Sequence, residues 1–353
     1  MKKAYLVLAD GTVFEGESFG ASAEALGELT FITSVVGYLE TPSDPGNTGR
    51  IVVQTFPQIG NYGTVEADLI SGCRPAGYVV REWCASPSNF RCEGEIDAFL
   101  KRENIPGICG IDTRALTRHI RENGVMNAAI VENIPADLSS IRMHQSENPL
   151  SRIGRREWES VSPTEAARGS VTIVDYGCGA SLVPWLTGQG WAVRLAPYTA
   201  AAEEILAANP NGVILSDGAG NPADNTDQIE TIRSLKGKVP LMGVGLGHTM
   251  LALAAGTPVK KMPVGHHGGS YPVRDIAGTR TYLTSQNHIY CVDEAALADG
   301  IIRYRNANDG ECEGIDYPEC RAFSVQFDPL LSSASRDTDA IMERFIRLMG
   351  GAF

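Results

Sequence analysis

The chain has 353 residues, a formal net charge of −12 at neutral pH and an apolar content of 43%. Its length favours two domains over a single core, and its apolar content favours folded domains over disorder. The acidic balance argues against a nucleic-acid-binding protein, which must neutralise phosphates. No segment has the roughly 18 consecutive apolar residues of a membrane span, so no membrane partner is expected.

Eight cysteines are scattered along the sequence without a C-x-x-C pair. In a chain of this length the pattern indicates reduced, mostly buried thiols, and we expect a cytoplasmic protein with neither a disulfide framework nor a zinc site. The apolar run near the N-terminus, residues 4–9, is too short for a signal peptide.

The first half, residues 1–145, is predicted to be one domain. It begins with strand-like segments at 3–8 and 12–14, separated by an Asp-Gly turn. A helix is predicted to start at Asp112 or Thr113, either of which can cap it, and to stop at Gly124.

The same helix carries three arginines. Leu116 and Ile120 lie four residues apart on its inner face, while Arg114, Arg118 and Arg121 point elsewhere. A solvated face is the simpler account of these arginines, and an anion-binding site is the alternative that stays open.

Beyond the first domain the character of the sequence changes twice. Residues 146–169, rich in Ser, Asn, Pro, Arg and Glu, are predicted to be a linker. From residue 170 to 353 strands alternate with helices, which predicts an α/β domain with a mostly parallel sheet and helices on both faces. The predicted strands are 171–175, 191–195, 212–215, 240–244, 281–283 and 322–327, and the predicted helices are 182–188, 201–208, 227–235, 247–255 and 337–349.

The segment from Val239 to His248 combines a buried strand with a glycine-rich turn that opens a helix. This is the form of a nucleophile elbow, G-x-(Ser/Cys)-x-G, whose middle residue presents its side chain to the substrate. The middle residue here is Gly245, which has no side chain with which to attack. The pattern therefore predicts a descendant of an enzyme that has lost its nucleophile.

Two further loops are expected beside the elbow, because ligands of open α/β sheets collect at the carboxyl ends of the strands. These loops are residues 216–222 and residues 326–330. The first contains Gly218 and Gly220, whose lack of side chains lets backbone N–H groups approach a ligand oxygen. Either an oxyanion hole or a plain glycine turn fits this segment.

Motifs along nearly the whole chain resemble those of one known family. They are TSVVGY at 33–38, IGNYG at 59–63, SNF at 88–90, IDTRALTR at 111–118, GVGLGH at 243–248, GHHGG at 265–269, SQNH at 285–288 and SVQF at 324–327. The family is the small, glutamine-hydrolysing subunit of carbamoyl-phosphate synthase. The resemblance implies a β-rich N-terminal domain followed by a class I glutamine amidotransferase domain. It also implies a large-subunit partner, on which ATP and magnesium are expected, with no cofactor or metal in this chain.

The resemblance places unreactive residues at the catalytic positions. The family's triad is a cysteine at the elbow with a histidine and a glutamate from a His-Pro-Glu segment, and those positions are Gly245, Asp328 and Leu330 here. The reaction needs a thiolate to attack the amide carbon and a histidine to activate the thiol and protonate the leaving ammonia. We therefore expect glutamine hydrolysis near background.

The resemblance also implies a glutamine pocket that is partly altered. Thr249 stands where the family has glutamine, Ile289 where it has glycine and Tyr290 where it has phenylalanine. Asp217 replaces an asparagine, and its carboxylate is adverse to a developing oxyanion if it points inward. The implied pocket positions are Ser34, Gly218, Gly220, Leu246, Thr249, Asn287, Ile289 and Tyr290.

Three other site interpretations are less favoured. A replacement nucleophile at Cys178 or Cys291 competes with the commoner role of free cysteines as small core residues. His266 and His267 are neighbours on an extended segment, so their side chains diverge and no metal site is expected. The glycines of the elbow lack the G-x-G-x-x-G spacing of a dinucleotide-binding turn.

The leading interpretation is a non-hydrolysing small subunit of carbamoyl-phosphate synthase. It would bind a large ATP-dependent subunit that makes carbamoyl phosphate, a precursor of arginine and pyrimidines, from bicarbonate, ATP and free ammonia. The alternative is a pseudoenzyme sensor or adaptor that binds glutamine or another small ligand without supporting synthesis. An active glutaminase with a relocated triad is the least favoured.

Overall fold

The computed structural model describes residues 2–69, 74–330 and 338–350. The chain forms two compact units. One consists of residues 1–149 and 263–267, and the other of residues 150–262 and 268–353. The boundary between 149 and 150 falls inside the predicted linker.

The first unit is built around a closed β-barrel. Its elements are β1 (Lys3–Leu8), β2 (Val13–Gly20), β3 (Ala25–Ile32), α1 (Glu40–Ser43), β4 (Arg50–Gln54), β5 (Gln58–Ile59), β6 (Gly77–Val79), β7 (Glu82–Trp83), α2 (Ile96–Arg102), β8 (Pro106–Cys109), α3 (Thr113–Asn123), β9 (Asn127–Val131) and α4 (Ser139–Arg142). The barrel runs β1-β2-β8-β6-β4-β3-β9, while β5 and β7 form a separate pair. Apolar side chains from its strands fill a common core.

Helix α3 confirms the prediction made from its caps. The Asp112 side chain accepts a hydrogen bond from the Ala115 N–H (3.0 Å), and the helix ends at Gly124, whose φ is 82°. Leu116 and Ile120 are fully buried in the barrel core. The cap and the apolar spacing together fix which face of α3 turns outward.

The second unit contains a ten-stranded sheet. Its elements are α5 (Leu150–Ile153), β10 (Glu159–Val161), β11 (Ser170–Val174), α6 (Val183–Gly188), β12 (Ala192–Ala196), α7 (Ala202–Ala207), β13 (Gly212–Leu215), α8 (Thr226–Leu235), β14 (Leu241–Val244), α9 (Leu246–Ala254), β15 (Val259–Asp275), β16 (Thr281–Val292), β17 (Ile301–Asn306), β18 (Cys312–Tyr317), β19 (Ala322–Val325) and α10 (Asp339–Leu348). The strand order is β10-β12-β11-β13-β14-β19-β18-β17-β15-β16.

The central strands β12, β11, β13, β14 and β19 are parallel, as expected. Because successive side chains on a strand point to opposite faces, Val213 and Leu215 join one core with α7, α8 and α9. Ile214 joins the opposite core with α6 and α10. The parallel strands thus carry helices on both faces and bring their carboxyl ends to one edge.

Two sequence expectations need correction. Residues 146–169 are not wholly a linker, because α5 buries Leu150 in the core and β10 pairs antiparallel with β12. Strand β10 is short and exposed, so it carries no hydrophobic period that sequence reasoning can detect. The antiparallel strands β15, β17 and β18 were also not predicted, and β16 extends well past the predicted 281–283.

In the part of the chain that the structure describes, no helix is both long enough and apolar enough to cross a bilayer. The seven cysteines in that part are all free thiols. Cys73 lies outside the described residues.

Candidate functional site

The turn after β14 has the backbone of a nucleophile elbow. Strand β14 ends at Val244, Gly245 has φ 52° and ψ −110°, and α9 begins at Leu246. The Gly245 N–H donates to the Val325 carbonyl (2.9 Å), which ties the turn to β19. A residue with a side chain is strained at such a positive φ, whereas glycine adopts it freely. The elbow geometry is therefore kept at a position without a side chain.

The Asp217 carboxylate points into this turn. Its Oδ1 accepts hydrogen bonds from two backbone N–H groups, those of Gly218 (2.7 Å) and Leu246 (2.8 Å). Leu246 opens the nine-residue helix α9, so the carboxylate lies at the positive end of the helix dipole. The negative charge is stabilised there by the helix and by both hydrogen bonds.

The carboxylate occupies the space that a side chain at the elbow would need. A Cβ added to Gly245 would overlap both Cγ and Oδ1 of Asp217, far inside van der Waals contact. The observed position of Asp217 therefore requires glycine at 245. Conversely, any other residue at 245 requires Asp217 to move.

This arrangement gives the N–H donors of the turn an acceptor from the protein itself. Two N–H groups that converge on one oxygen have the form of an oxyanion hole, and their usual partner is the charge that develops on a substrate. Here that oxygen belongs to Asp217. A substrate oxyanion would have to displace a charged acceptor and would be repelled by it.

The glycines of the 216–222 loop have different surroundings. A side chain on Gly218 would overlap the Tyr176 carbonyl oxygen, so the lack of a side chain permits the close approach of two backbone segments. Gly220 has a φ of 106° and lies in the turn before the 3-10 helix Pro222–Asp224.

The implied pocket residues downstream of the elbow are largely engaged within the protein. Thr249 is buried in α9, and its hydroxyl donates to the Leu246 carbonyl (2.9 Å) of the same helix. On β16, Asn287 and Ile289 share one face, and Tyr290 lies on the other. Ile289 is fully buried, so its side chain fills space in the core.

The loop after β19 is hydrogen-bonded to β16. The Asp328 N–H donates to the Ser285 carbonyl of β16 (3.0 Å), and Asp328 Oδ1 accepts from the Leu330 N–H (2.7 Å). The Leu330 side chain packs against the core beside α6 and α10. Leu330 therefore contributes an apolar contact where the resemblance implies an orienting carboxylate.

The two suspected cysteines have different surroundings. Cys291 is fully buried, its thiol contacts Glu311, and burial raises the pKa of that thiol. The Cys178 N–H donates to the Asp217 carbonyl (3.2 Å), so this residue lies beside the site through its backbone. Ser34 belongs to the first unit, whereas the other implied pocket positions belong to the second.

One buried histidine links α9, the helix that follows the elbow, to strand β19. His248 is fully buried in α9, and its Nδ1 lies 2.7 Å from the Ser324 hydroxyl of β19. Burial lowers the pKa of His248 to about 3. Its Nε2 has no hydrogen-bond partner among the residues that the structure describes. The imidazole is therefore neutral at physiological pH.

The structure thus brings together Gly218, Gly245 and Leu246 around a residue that the sequence analysis did not count among the pocket positions. The sequence indicates only that the Asp217 carboxylate is adverse to a developing oxyanion if it points inward. The structure shows that it does point inward. The available signal was a pair of changes, an aspartate in one loop together with a glycine at the elbow. Neither change alone reveals that the two residues share one space.

Two family models match the chain. Residues 6–130 match the carbamoyl-phosphate synthase small chain, CPSase domain, and residues 172–348 match glutamine amidotransferase class-I. The carbamoyl phosphate synthase small chain of Fusobacterium nucleatum is 39% identical over 98% of both chains. The pyrimidine-specific small chains of Halalkalibacterium halodurans and Bacillus subtilis are 40% and 38% identical, over 98% of this chain and 97% and 96% of theirs. These matches confirm the expected order of the two domains.

The shared space at the elbow predicts a non-additive mutant cycle. Gly245→Ala should lower the free energy of unfolding by at least about 2 kcal/mol, through the positive φ and the overlap with Asp217. Asp217→Ala should cost about 1–2 kcal/mol through two lost hydrogen bonds. The double variant should be more stable than the sum of these losses predicts by at least about 1 kcal/mol, because the overlap is gone. Urea unfolding measures all three values.

Gly237→Ala is the control for an alanine at a positive φ, because Gly237 has a φ of 76° and no atom within 4 Å of an added Cβ. Gly245→Ala should cost more than this control, because the ψ of −110° lies outside the left-handed region and the added Cβ meets Asp217, and it should cost less in the Asp217→Ala background than in wild type. Strictly additive losses at 217 and 245 would show that the two residues do not compete for space.

Gly245→Cys should likewise lower the melting temperature without creating glutaminase activity.

The buried imidazole predicts a pH dependence of stability. His248 is deprotonated in the folded chain above about pH 3 but takes up a proton in the unfolded chain below about pH 6.5, so stability falls as pH falls between these values. Between pH 7.5 and pH 5.5 this one group should remove about 1.4 kcal/mol. His248→Asn should abolish that component in urea unfolding at the two pH values, while the same change at the half-buried His144 should not. Equal pH dependence in the His248→Asn variant and the wild type would contradict the assignment.

Proposed function

Because the chain belongs to the carbamoyl-phosphate synthase small chain family, we propose that it is a small subunit that supports synthesis from free ammonia and does not hydrolyse glutamine. The membership rests on matches to both domains and on 39–40% identity to relatives over 98% of the chain. The residues at the elbow decide which part of the family's chemistry this chain performs.

The observation that carries the proposal is the Asp217 carboxylate bound to the N–H groups of Gly218 and Leu246, over a glycine at 245. Glutamine hydrolysis by this family requires a thiolate at the elbow and free donors for the tetrahedral oxyanion. Gly245 supplies no thiolate, and the donors already hold a carboxylate. The turn at Gly245 therefore lacks both the thiolate and the free donors.

The remaining triad positions support the same conclusion. By resemblance, Asp328 and Leu330 stand where the family has its histidine and glutamate. Asp328 accepts a hydrogen bond within its own turn, and Leu330 packs into the core. In a protease, loss of the nucleophile alone lowers the rate by about 10⁶, which corresponds to about 8 kcal/mol of barrier. Glutamine hydrolysis by this chain therefore falls to background.

The role that remains is assembly with a large synthetase subunit. That partner binds ATP and magnesium and makes carbamoyl phosphate from bicarbonate and ammonia, while this chain acts as its scaffold or raises its affinity for substrates. Three relatives, among them those of Halalkalibacterium halodurans and Bacillus subtilis, carry pyrimidine-specific names, which favours pyrimidine over arginine synthesis. The free thiols of the described cysteines fit a cytoplasmic location.

Reconstitution with the cognate large subunit tests the proposal. Carbamoyl phosphate should form with ammonium at a rate above that of the large subunit alone. With glutamine as the nitrogen donor, the rate should stay at the level of a reaction without donor. The measurement is carbamoyl phosphate formed per minute with each donor at saturation.

The small and large chains of Bacillus subtilis provide the control, in which glutamine should support synthesis if that small chain has the family's activity. Synthesis from glutamine by this chain would contradict the proposal, and Cys178→Ala would then test the cysteine whose N–H donates to the Asp217 carbonyl. Failure to bind or stimulate the large subunit would favour the alternative, a sensor or adaptor with no part in synthesis.

A further inference from the structure

The first unit contains a cleft whose residues have no role in the proposed chemistry. Its volume is about 670 Å³, and its walls include Arg81, Arg114, Arg118 and Arg121 together with several threonines. Arg81 follows strand β6, and the other three belong to helix α3. Four arginines thus line a single concavity.

The three helical arginines form a row. Their spacing of four and three residues puts them on one side of α3, away from the buried Leu116 and Ile120. Seven residues of helix separate the ends of the row by about 10 Å. A single small ion contacts only part of such a row, whereas an extended anionic segment can contact all of it.

The charges of this row are not neutralised within the described residues. No carboxylate lies within 4.0 Å of Arg114, Arg118 or Arg121 in that part of the chain, and Arg81 only reaches Glu82 at that limit. Arg121 instead lies over the Phe31 ring, 5.3 Å from its centroid. In a chain of net charge −12, four arginines so placed create a local positive potential that attracts carboxylates.

Exposed apolar side chains flank the cleft-lining residues along the chain. Phe56, 36% exposed, stands between two residues of the cleft wall, Thr55 and Pro57. Val35 and Val36, each 64% exposed, follow the lining residue Thr33. Exposed apolar side chains contribute nothing to the binding of a free anion, whereas arginines combined with apolar side chains are typical of protein interfaces.

We propose that this cleft is the docking site for an acidic segment of the large subunit. The inference rests on the proposed function, which supplies the partner. Carboxylates of that segment pair with the arginine row, and apolar side chains beside them cover Val35, Val36 and Phe56. The solvated face that the sequence favoured for α3 is then solvated only in the free subunit.

The test is a charge reversal in the row. The Arg114→Glu/Arg118→Glu variant should bind the purified cognate large subunit at least about 30-fold more weakly than wild type, with a slower association rate and a weaker dependence on salt. Both arginines are exposed, so the variant should keep the wild-type melting temperature. Hydrogen exchange of the wild-type complex should show α3 protected by the partner.

Two control variants separate the cleft from general charge effects. Lys2→Glu/Lys3→Glu changes the net charge by the same amount on exposed residues of the same unit and should bind nearly as wild type. Arg114→Lys/Arg118→Lys keeps the charge and should lose far less affinity than the reversal.

Three outcomes would overturn the docking site. If wild type binds the large subunit and the reversal variant binds equally well, the cleft is not the contact, although the proposed function stands. If wild type does not bind, both fall together. If inorganic pyrophosphate binds wild type and not the reversal variant, while large-subunit affinity is unchanged, the cleft is a small-anion site instead.

Discussion

The candidate site depends most on one steric exclusion, between the Asp217 carboxylate and any side chain at position 245. Glycine at the elbow leaves a space at the start of α9, and the carboxylate fills that space and satisfies two N–H groups that would otherwise await a ligand. Gly245 leaves the space that the Asp217 carboxylate needs, and the carboxylate accepts hydrogen bonds from the N–H groups of the turn. Under the proposed function, a single substitution at either position should not create an active elbow, because the other residue then blocks the turn or leaves it without a nucleophile.

The backbone around this point has the geometry of an elbow. Gly245 has a positive φ and its N–H is bonded to Val325, and the buried His248 links α9 to Ser324. The packing of the parallel strands that positions the turn does not depend on the chemistry that the turn performs. Under the proposed function, the subunit lacks hydrolysis and keeps the surfaces needed for assembly, which agrees with the general exchange of activity for stability.

The sequence predicted well those features that depend on local pattern. The cap at Asp112, the apolar spacing of α3 and the glycines of the elbow are local signals, and the structure confirms the elements they mark. Closure of the barrel and the antiparallel half of the sheet depend on pairing between strands that are far apart in the sequence. The local sequence pattern does not reveal which strands pair. The orientation of Asp217 depends on two distant loops meeting, and the arginine cleft depends on which residues face α3.

Isotope competition tests the central claim most directly. The chain and its large subunit are supplied together with ¹⁵N-ammonium and unlabelled glutamine, and the nitrogen of the carbamoyl phosphate formed is analysed by mass spectrometry. Because the elbow has no nucleophile and its donors are filled by Asp217, all product nitrogen should be ¹⁵N. Unlabelled nitrogen in the product, above that from spontaneous hydrolysis of glutamine, would contradict the account.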